Sequence, residues 1–223
     1  MISGFQPIYL TYRNRFVDQG SEMKKILSVM MFSALFAGIV HAEENRYHPL
    51  AGVEVASTES TYETKDETFD TDSETGWGLR GGVQNGDTRI YASLHYVNFE
   101  EDKKESASHA KYETDQYDLL LNLEAMTDPF RFSDSIASFF FIGAHIGGVY
   151  VDYDAEYRSR SVDLKKKDSE YGLASGAQAG AVMKINEKVE LEAGYRYTWS
   201  SLDIQDVDLD HYDSLYVAFT YDF

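Results

Sequence analysis

The sequence predicts an all-β protein, an eight-stranded antiparallel transmembrane β-barrel. Three observations support this fold class. Apolar and polar side chains alternate along eight segments, as they do in strands with one apolar and one polar face. The connections between these segments alternate between short turns and long polar stretches. Beyond residue 42, no apolar stretch approaches the roughly 20 residues that a membrane-spanning helix needs.

Composition and charge exclude several classes of function. The chain has 223 residues, of which 43% are apolar, so it can bury a sizeable core. Its formal net charge of -18 argues against a nucleic-acid partner, because binding to phosphates depends on a basic patch. It contains no cysteine, which excludes a disulfide framework, a thiolate metal site and a cysteine nucleophile.

An export signal precedes the predicted barrel. The segment MKKILSVMMFSALFAGIVHA, residues 23–42, begins with a methionine and two lysines, continues as an apolar run and closes on a small residue. A retained membrane anchor is the alternative, but the apolar run is short for one. We expect residues 1–22 to be an extension ahead of the true initiator, residues 23–42 to be a signal peptide, and residues 43–223 to be the barrel domain.

The last strand shows the alternation most clearly. One face carries Leu215, Val217, Phe219, Tyr221 and Phe223, and the other carries Ser214, Tyr216, Ala218, Thr220 and Asp222. The segment 189–199 repeats this alternation and 114–126 shows a comparable split; alternation of the same period, weaker in 76–84 and 88–99, also runs through residues 51–56, 137–152 and 169–184. Leu120 is an exception, because it interrupts an otherwise polar face.

The connections predict which end of the barrel is which. Asn85-Gly86-Asp87 and Asn186-Glu187-Lys188 are typical of tight turns, whereas residues 59–74, 100–113, 153–168 and 201–211 are long and polar. The connection 127–136 is longer than a tight turn. Transmembrane barrels place short turns in the periplasm and long loops outside, so both termini should be periplasmic.

The aromatic residues indicate which face meets lipid. A secreted soluble barrel, the alternative, would also alternate, with its apolar faces inward. An eight-stranded barrel is too narrow to enclose Trp77, Trp199, Tyr195 and Phe219 together. Turned outward, the aromatic residues can instead form belts at the membrane interfaces, with Tyr150 among them. We therefore expect apolar side chains outward and small or charged side chains inward.

With its export signal and its terminal strand, the chain resembles the outer-membrane β-barrel proteins of Gram-negative bacteria, specifically the small eight-stranded OmpA and OmpX type. The resemblance implies an outer-membrane location, contact with outer-membrane lipid and lipopolysaccharide, and a place in the wider porin family of barrels. It also implies that the barrel assembly machinery recognises the last strand. The residues of that assembly signal would be Leu215, Val217, Phe219, Tyr221 and Phe223. We expect a monomer.

Charged residues on the inward faces form the candidate site. Because buried charges must be paired or solvated, we expect them to form an ion-pair network in the lumen. The predicted members are Glu54, Arg80, Arg89, Asp118, Glu124, Glu190, Glu192 and Arg196. The alternative is a narrow channel for ions or small solutes, although eight strands leave little lumen.

Metal and catalytic sites are not expected. His95 and His145 face inward without a spaced partner histidine, which favours hydrogen-bonded side chains over metal ligands. The segment DIQDVDLDH, residues 203–211, has the D-x-D-x-D spacing of a calcium loop but lacks its glycine and closing glutamate; a weak cation site near lipopolysaccharide is the alternative to a solvated segment. Lipid A deacylases of this barrel type carry an H-x-S element, which this chain lacks. We expect no cofactor and a non-enzymatic role in envelope structure and surface interaction.

Overall fold

The structure is a computed structural model that describes residues 47–64, 68–104, 108–133, 136–159, 163–204 and 207–223. The expected N-terminal extension and signal peptide lie outside these residues. Eight long strands form the barrel: β1 His48–Thr64, β2 Glu74–Asn85, β3 Thr88–Lys104, β4 Ser108–Met126, β5 Ala137–Ser159, β6 Asp163–Lys184, β7 Val189–Ile204 and β8 Val207–Asp222. Two short strands, Thr68–Asp70 and Phe130–Arg131, pair with β1 and β5.

The barrel is closed by its first and last strands. Each long strand pairs antiparallel with its neighbour in sequence, and β1 pairs with β8 from Leu50 opposite Asp222 to Thr64 opposite Val207. The predicted eight-stranded antiparallel barrel is confirmed. In the described part of the chain, no helix is long and apolar enough to cross a membrane.

The two faces of the strands differ as predicted. On β8, Val217 is 58% exposed, whereas the neighbouring Tyr216 and Ala218 are 1% and 2% exposed. The same contrast recurs around the barrel and produces an outward apolar band. Its exposed members include Val53, Val55, Trp77, Leu79, Ile90, Leu121, Leu123, Phe140, Ile142, Ile146, Leu173, Tyr195, Leu215 and Phe219.

A row of aromatic side chains crosses five strands at the end of this band that lies away from the short turns. Direct cross-strand pairs link Trp77, Tyr96, Tyr117, Tyr150 and Tyr171 in that order. The ring centroids of successive residues from Trp77 to Tyr150 are 6.0, 5.0 and 6.1 Å apart. Tyr150 lies in this row, as predicted, although only 8% of its surface is exposed.

The short turns are those that the sequence predicts. Gly86 has a φ of 59°, the left-handed conformation that a tight hairpin needs and that glycine adopts without strain. The Asn186 Oδ1 accepts hydrogen bonds from the backbone N–H groups of Lys188 and Val189. The longer connection 127–136 contains the strand Phe130–Arg131, which pairs with Ser138 and Ala137.

The sequence predicts loops for the long connections, but most of their described residues are in strands. β3 continues to Lys104 and β4 starts at Ser108, while β5 continues to Ser159 and β6 starts at Asp163. Beyond the aromatic row the outward faces of these strands carry charged and polar side chains instead of apolar ones, so no apolar alternation marks them. Cross-strand ion pairs join them instead, such as Lys111 Nζ to Glu100 Oε1 at 2.9 Å. This hydrogen bond and the charge of Glu100 raise the pKa of Lys111.

A β-bulge near the tip of β8 changes which residues face inward. Leu209 lies opposite Tyr62 of β1 and His211 lies opposite Thr61, so Asp210 is an extra residue in β8 relative to β1. Without this bulge, the period of two would turn Asp208 and Asp210 inward. With it, Leu209 is 1% exposed, while Asp208 and Asp210 are exposed.

Candidate functional site

Arg89 is the centre of a charge cluster in the lower half of the lumen, towards the short turns. Its Nη1 donates to Glu192 Oε2 at 2.7 Å and lies 3.3 Å from Glu124 Oε2, and its Nη2 donates to Glu190 Oε2 at 2.6 Å. All four side chains are at most 1% exposed. Because removal from water makes an unpaired charge costly, each of these carboxylates depends on a nearby cation.

Arg80 supports the same cluster from β2. Its Nη1 donates to Glu192 Oε1 at 2.8 Å, so the two oxygens of Glu192 accept from two different arginines. Tyr216 donates from its hydroxyl to Glu192 Oε1 at 2.9 Å. Lys184, at the edge, lies 3.1 Å from Glu190 Oε1 and 2.9 Å from Asp222 Oδ2.

Arg196 forms a second centre higher in the lumen. Its guanidinium binds Glu54 through two parallel hydrogen bonds of 3.0 and 3.1 Å, a geometry that favours arginine over lysine. The guanidinium carbon lies 4.7 Å from the ring centre of Tyr216, and His95 Nε2 is 3.1 Å from Arg196 Nη1. Arg196 therefore has an acid, an aromatic ring and an imidazole as partners.

Gln178 joins the two centres. It accepts from Arg196 Nε at 3.1 Å and donates to Glu124 Oε1 at 2.8 Å. The Tyr91 hydroxyl also donates to Glu124 Oε1, at 2.7 Å. The result is one hydrogen-bonded network with side chains from every barrel strand except β5.

The structure brings seven of the eight predicted lumen residues into this network and leaves Asp118 outside it. Asp118 is buried in the lumen, opposite His95 on the neighbouring strand, and accepts hydrogen bonds from Gln116 Nε2. It forms no ion pair with any lysine or arginine that the structure describes. Sequence reasoning missed Tyr91, Gln178 and Tyr216 as members of the network; their inward positions were the available signal.

The interior also contains apolar side chains, contrary to the expectation of a small or charged inward set. An upper cluster consists of Tyr62, Leu120, Val149, Val151, Ala174, Leu202, Leu209 and Tyr212. A lower cluster consists of Ala56, Met126, Phe139, Phe141, Val182, Tyr216 and Ala218. Leu120, which interrupts the polar face of β4, belongs to the upper cluster.

A family comparison agrees with this architecture. The family described as "Outer membrane protein beta-barrel domain" matches residues 27–223. The chain belongs to this family. It is therefore an outer-membrane barrel of a Gram-negative envelope, and in such barrels the short turns face the periplasm and the long hairpins face outward.

Three solved structures resemble this chain at low sequence identity. The Neisserial surface protein A (NspA) has a TM-score of 0.48 at 14% identity and covers 78% of this chain and 97% of its own. OprH from Pseudomonas aeruginosa has a TM-score of 0.44 at 20% identity, covering 79% of this chain and 99% of its own. OprG from the same organism has a TM-score of 0.42 at 17% identity, covering 81% and 97%. No curated protein matches the chain.

The histidines and the acidic segment 203–211, which the sequence analysis considered as metal ligands, do not form a metal site in the described residues. No group of three or more histidine, aspartate or glutamate side chains is placed there to hold an ion. His145 Nε2 lies 3.0 Å from Thr198 Oγ1. In the segment 203–211, the described aspartates belong to strands rather than to a loop, with Asp203 directly opposite Asp208.

Proposed function

We propose that this outer-membrane barrel is a non-enzymatic protein of envelope structure and surface interaction, with a sealed lumen. The observation that carries this proposal is the burial of the lumen charges. Arg89, Glu124 and Glu190 would be exposed to water if an open pore crossed the barrel, yet each is at most 1% exposed. Apolar clusters above the network and beside it support the same role.

The outer hairpins support a role in surface interaction. Beyond the aromatic row, residues 151–158 continue for eight residues paired with β6, which corresponds to roughly 26 Å of strand. Ion pairs on its outer side, such as Lys167 Nζ to Asp152 Oδ1 at 3.4 Å, join neighbouring strands. Such hairpins present charged side chains above the membrane on a rigid support. The partners that we propose at the membrane surface are outer-membrane lipid and lipopolysaccharide.

Conductance measurements test the sealed lumen. Refolded protein in planar bilayers should give no steady single-channel currents, with the shift in gel mobility on heating as the control that the barrel is folded. Steady currents from the unaltered protein would contradict the proposal and favour the narrow channel.

Two arginine variants test whether the network acts as a gate. Arg80→Ala and Arg196→Ala each remove a cation that spans the lumen. If the barrel is a sealed structural element, both variants should remain closed, because the apolar clusters still fill the interior. Increased conductance in either variant would favour a gated channel.

A direct assay tests the absence of catalysis. Lipid A from cells with and without the protein should give the same mass spectrum. A loss or gain of an acyl chain that depends on the protein would overturn the non-enzymatic assignment.

A further inference from the structure

The connection between β4 and β5, residues 127–136, contains an extra residue compared with a regular ladder. The backbone N–H of Thr127 donates to Phe140 O at 2.9 Å, as in a continued β4–β5 ladder. Three residues later this register requires a partner three residues back along β5, but Phe130 pairs with Ser138, which is only two residues back. One residue between Thr127 and Phe130 is therefore unpaired, as in a β-bulge.

The extra residue turns Phe130 to the outside of the barrel. On β4, Glu124 and Met126 face inward and are buried, and unbroken alternation would turn Phe130 inward as well. Directly paired residues share a face of a sheet, so Phe130 instead lies on the same side as Ser138 and Phe140. Phe140 is 58% exposed and belongs to the outward apolar band.

Phe130 extends this band towards the periplasm. Its ring packs edge-to-face against Phe140, with the ring centroids 6.4 Å apart. Direct cross-strand pairs lead from Ser138 to Met183 of β6, which is 41% exposed, and from Met183 to Leu191 of β7. The outward surface of the barrel wall therefore continues onto the connection.

Two further apolar side chains are exposed beyond Phe130. The exposed fractions of Phe130, Phe132 and Ile136 are 61%, 74% and 39%. The backbone N–H of Phe132 donates to Ile136 O at 3.0 Å, and the backbone N–H of Ile136 donates to Ser133 Oγ at 3.1 Å. The two tight turns at this end of the barrel contain, by contrast, only polar residues and glycine. A contiguous exposed apolar surface of this kind marks contact with a membrane or another protein.

We propose that four side chains form a periplasmic patch that inserts into the phospholipid leaflet on the periplasmic side of the outer membrane: Phe130, Phe132, Ile136 and Phe140. Lipid is the occupant because the periplasmic patch is continuous with the apolar band, and because aromatic rings are favoured where acyl chains meet headgroups. The inference rests on the proposed contact with outer-membrane lipid and extends that contact to a connection outside the regular barrel wall.

Lipid quenching tests the periplasmic patch, since the chain contains no native cysteine. Phe132→Cys is labelled with bimane and refolded in phosphatidylcholine vesicles that contain a phospholipid with a nitroxide on its acyl chain. Ile142→Cys, 68% exposed on the apolar band, is the lipid-facing reference, and Glu187→Cys, on an exposed tight turn at the same end, is the water-facing reference. Quenching at Phe132→Cys should be comparable with that at Ile142→Cys and severalfold stronger than at Glu187→Cys. Quenching no stronger than at Glu187→Cys would overturn the proposal.

The same labels distinguish the ways in which the proposal can fail. If Ile142→Cys is quenched and Phe132→Cys is not, the barrel contacts lipid, and the periplasmic patch instead serves a periplasmic protein. If neither is quenched, the proposed contact with outer-membrane lipid fails as well. Quenching at Phe132→Cys should not change with the protein-to-lipid ratio. A loss of quenching as this ratio rises would identify a second copy of the chain as the occupant and would also overturn the proposal.

Removal of two rings tests whether they hold the connection in the leaflet. With bimane on Ile136→Cys, the combined changes Phe130→Ser and Phe132→Ser should lower lipid quenching severalfold. Tyr171→Ser is the matched control, because it removes a 70% exposed ring near the opposite end of the apolar band, and it should leave the quenching unchanged. Heat-modifiable gel mobility checks that each protein is folded. Equal quenching in the folded proteins would overturn the proposal.

Discussion

At the scale of single residues, the lumen is organised by arginines that each serve several acids. Arg89 contacts Glu124, Glu190 and Glu192, and no other described cation contacts Glu124. A buried ion pair adds little net stability compared with an apolar replacement of both partners, but loss of one partner leaves the other charge buried and unpaired. The network is therefore most sensitive to the removal of its arginines.

Arg89→Met should lower the free energy of unfolding by roughly 3–5 kcal/mol, because three buried carboxylates would share fewer cations. The measurement is urea unfolding of refolded protein in lipid vesicles, followed by tryptophan fluorescence. Lys188→Met, on an exposed turn, is the control and should change this free energy by less than about 0.5 kcal/mol. A loss below about 1 kcal/mol for Arg89→Met would show that the acids do not depend on it.

The sequence predicts which residues enter the lumen but not their partners. Glu192 and Arg89 are 103 positions apart, and Arg196 and Glu54 are 142 apart. Inward orientation follows from the local period of two, whereas contact across the lumen depends on the stagger of the strands and on side-chain length. For the same reason Asp118, equally inward, lies outside the network.

At the scale of strands, β4 shows that the alternation of apolar and polar residues predicts which side chains face lipid within the membrane. Leu121 and Leu123 are more than half exposed to the outside, and Asn122 and Glu124 are buried. Leu120 breaks the polar face because it lies at the height of the upper cluster, where the interior is apolar. Above the aromatic row, charged and polar side chains replace apolar ones on the outward faces, so the alternation is lost and the true ends of the strands are not visible in the sequence.

Leu120→Ala and Leu121→Ala make the same change on opposite faces of β4. Leu120→Ala should lower the free energy of unfolding by about 2–5 kcal/mol, since it leaves a cavity in a packed cluster. Leu121→Ala should cost much less, because lipid chains fill the space that the side chain leaves. Urea titrations in lipid vesicles compare the two. Equal losses would contradict the assignment of the faces.

The last strand has a predicted role in assembly. We expect Phe223→Ala to reduce the amount of folded barrel in the outer membrane of cells several-fold, while refolding of the purified protein in detergent is unaffected. Phe140→Ala, an equally exposed aromatic on another strand, is the matched control, with 58% exposure beside 67% for Phe223. The two arms are read by heat-modifiable gel mobility. Equal membrane levels of both variants would contradict a specific signal in β8.

At the scale of the whole molecule, the strand number, the antiparallel order and the outward apolar band all follow from alternation and turn spacing. The bulge near the tip of β8 does not, because its extra residue, Asp210, is not marked by any departure from an ordinary strand sequence. The sequence therefore predicts the membrane-embedded part of the strands best, because contact with lipid requires apolar residues on the outward face.

The orientation of the two faces is the central claim, and nitroxide scanning of β8 tests it most directly. Single cysteines at residues 214–220, spin-labelled in lipid vesicles, should show high collision rates with oxygen, which partitions into lipid, at Leu215, Val217 and Phe219. The labels at Ser214, Tyr216, Ala218 and Thr220 should be shielded, as their burial requires. The reverse pattern, or no period of two along these seven positions, would contradict a lipid-facing apolar surface.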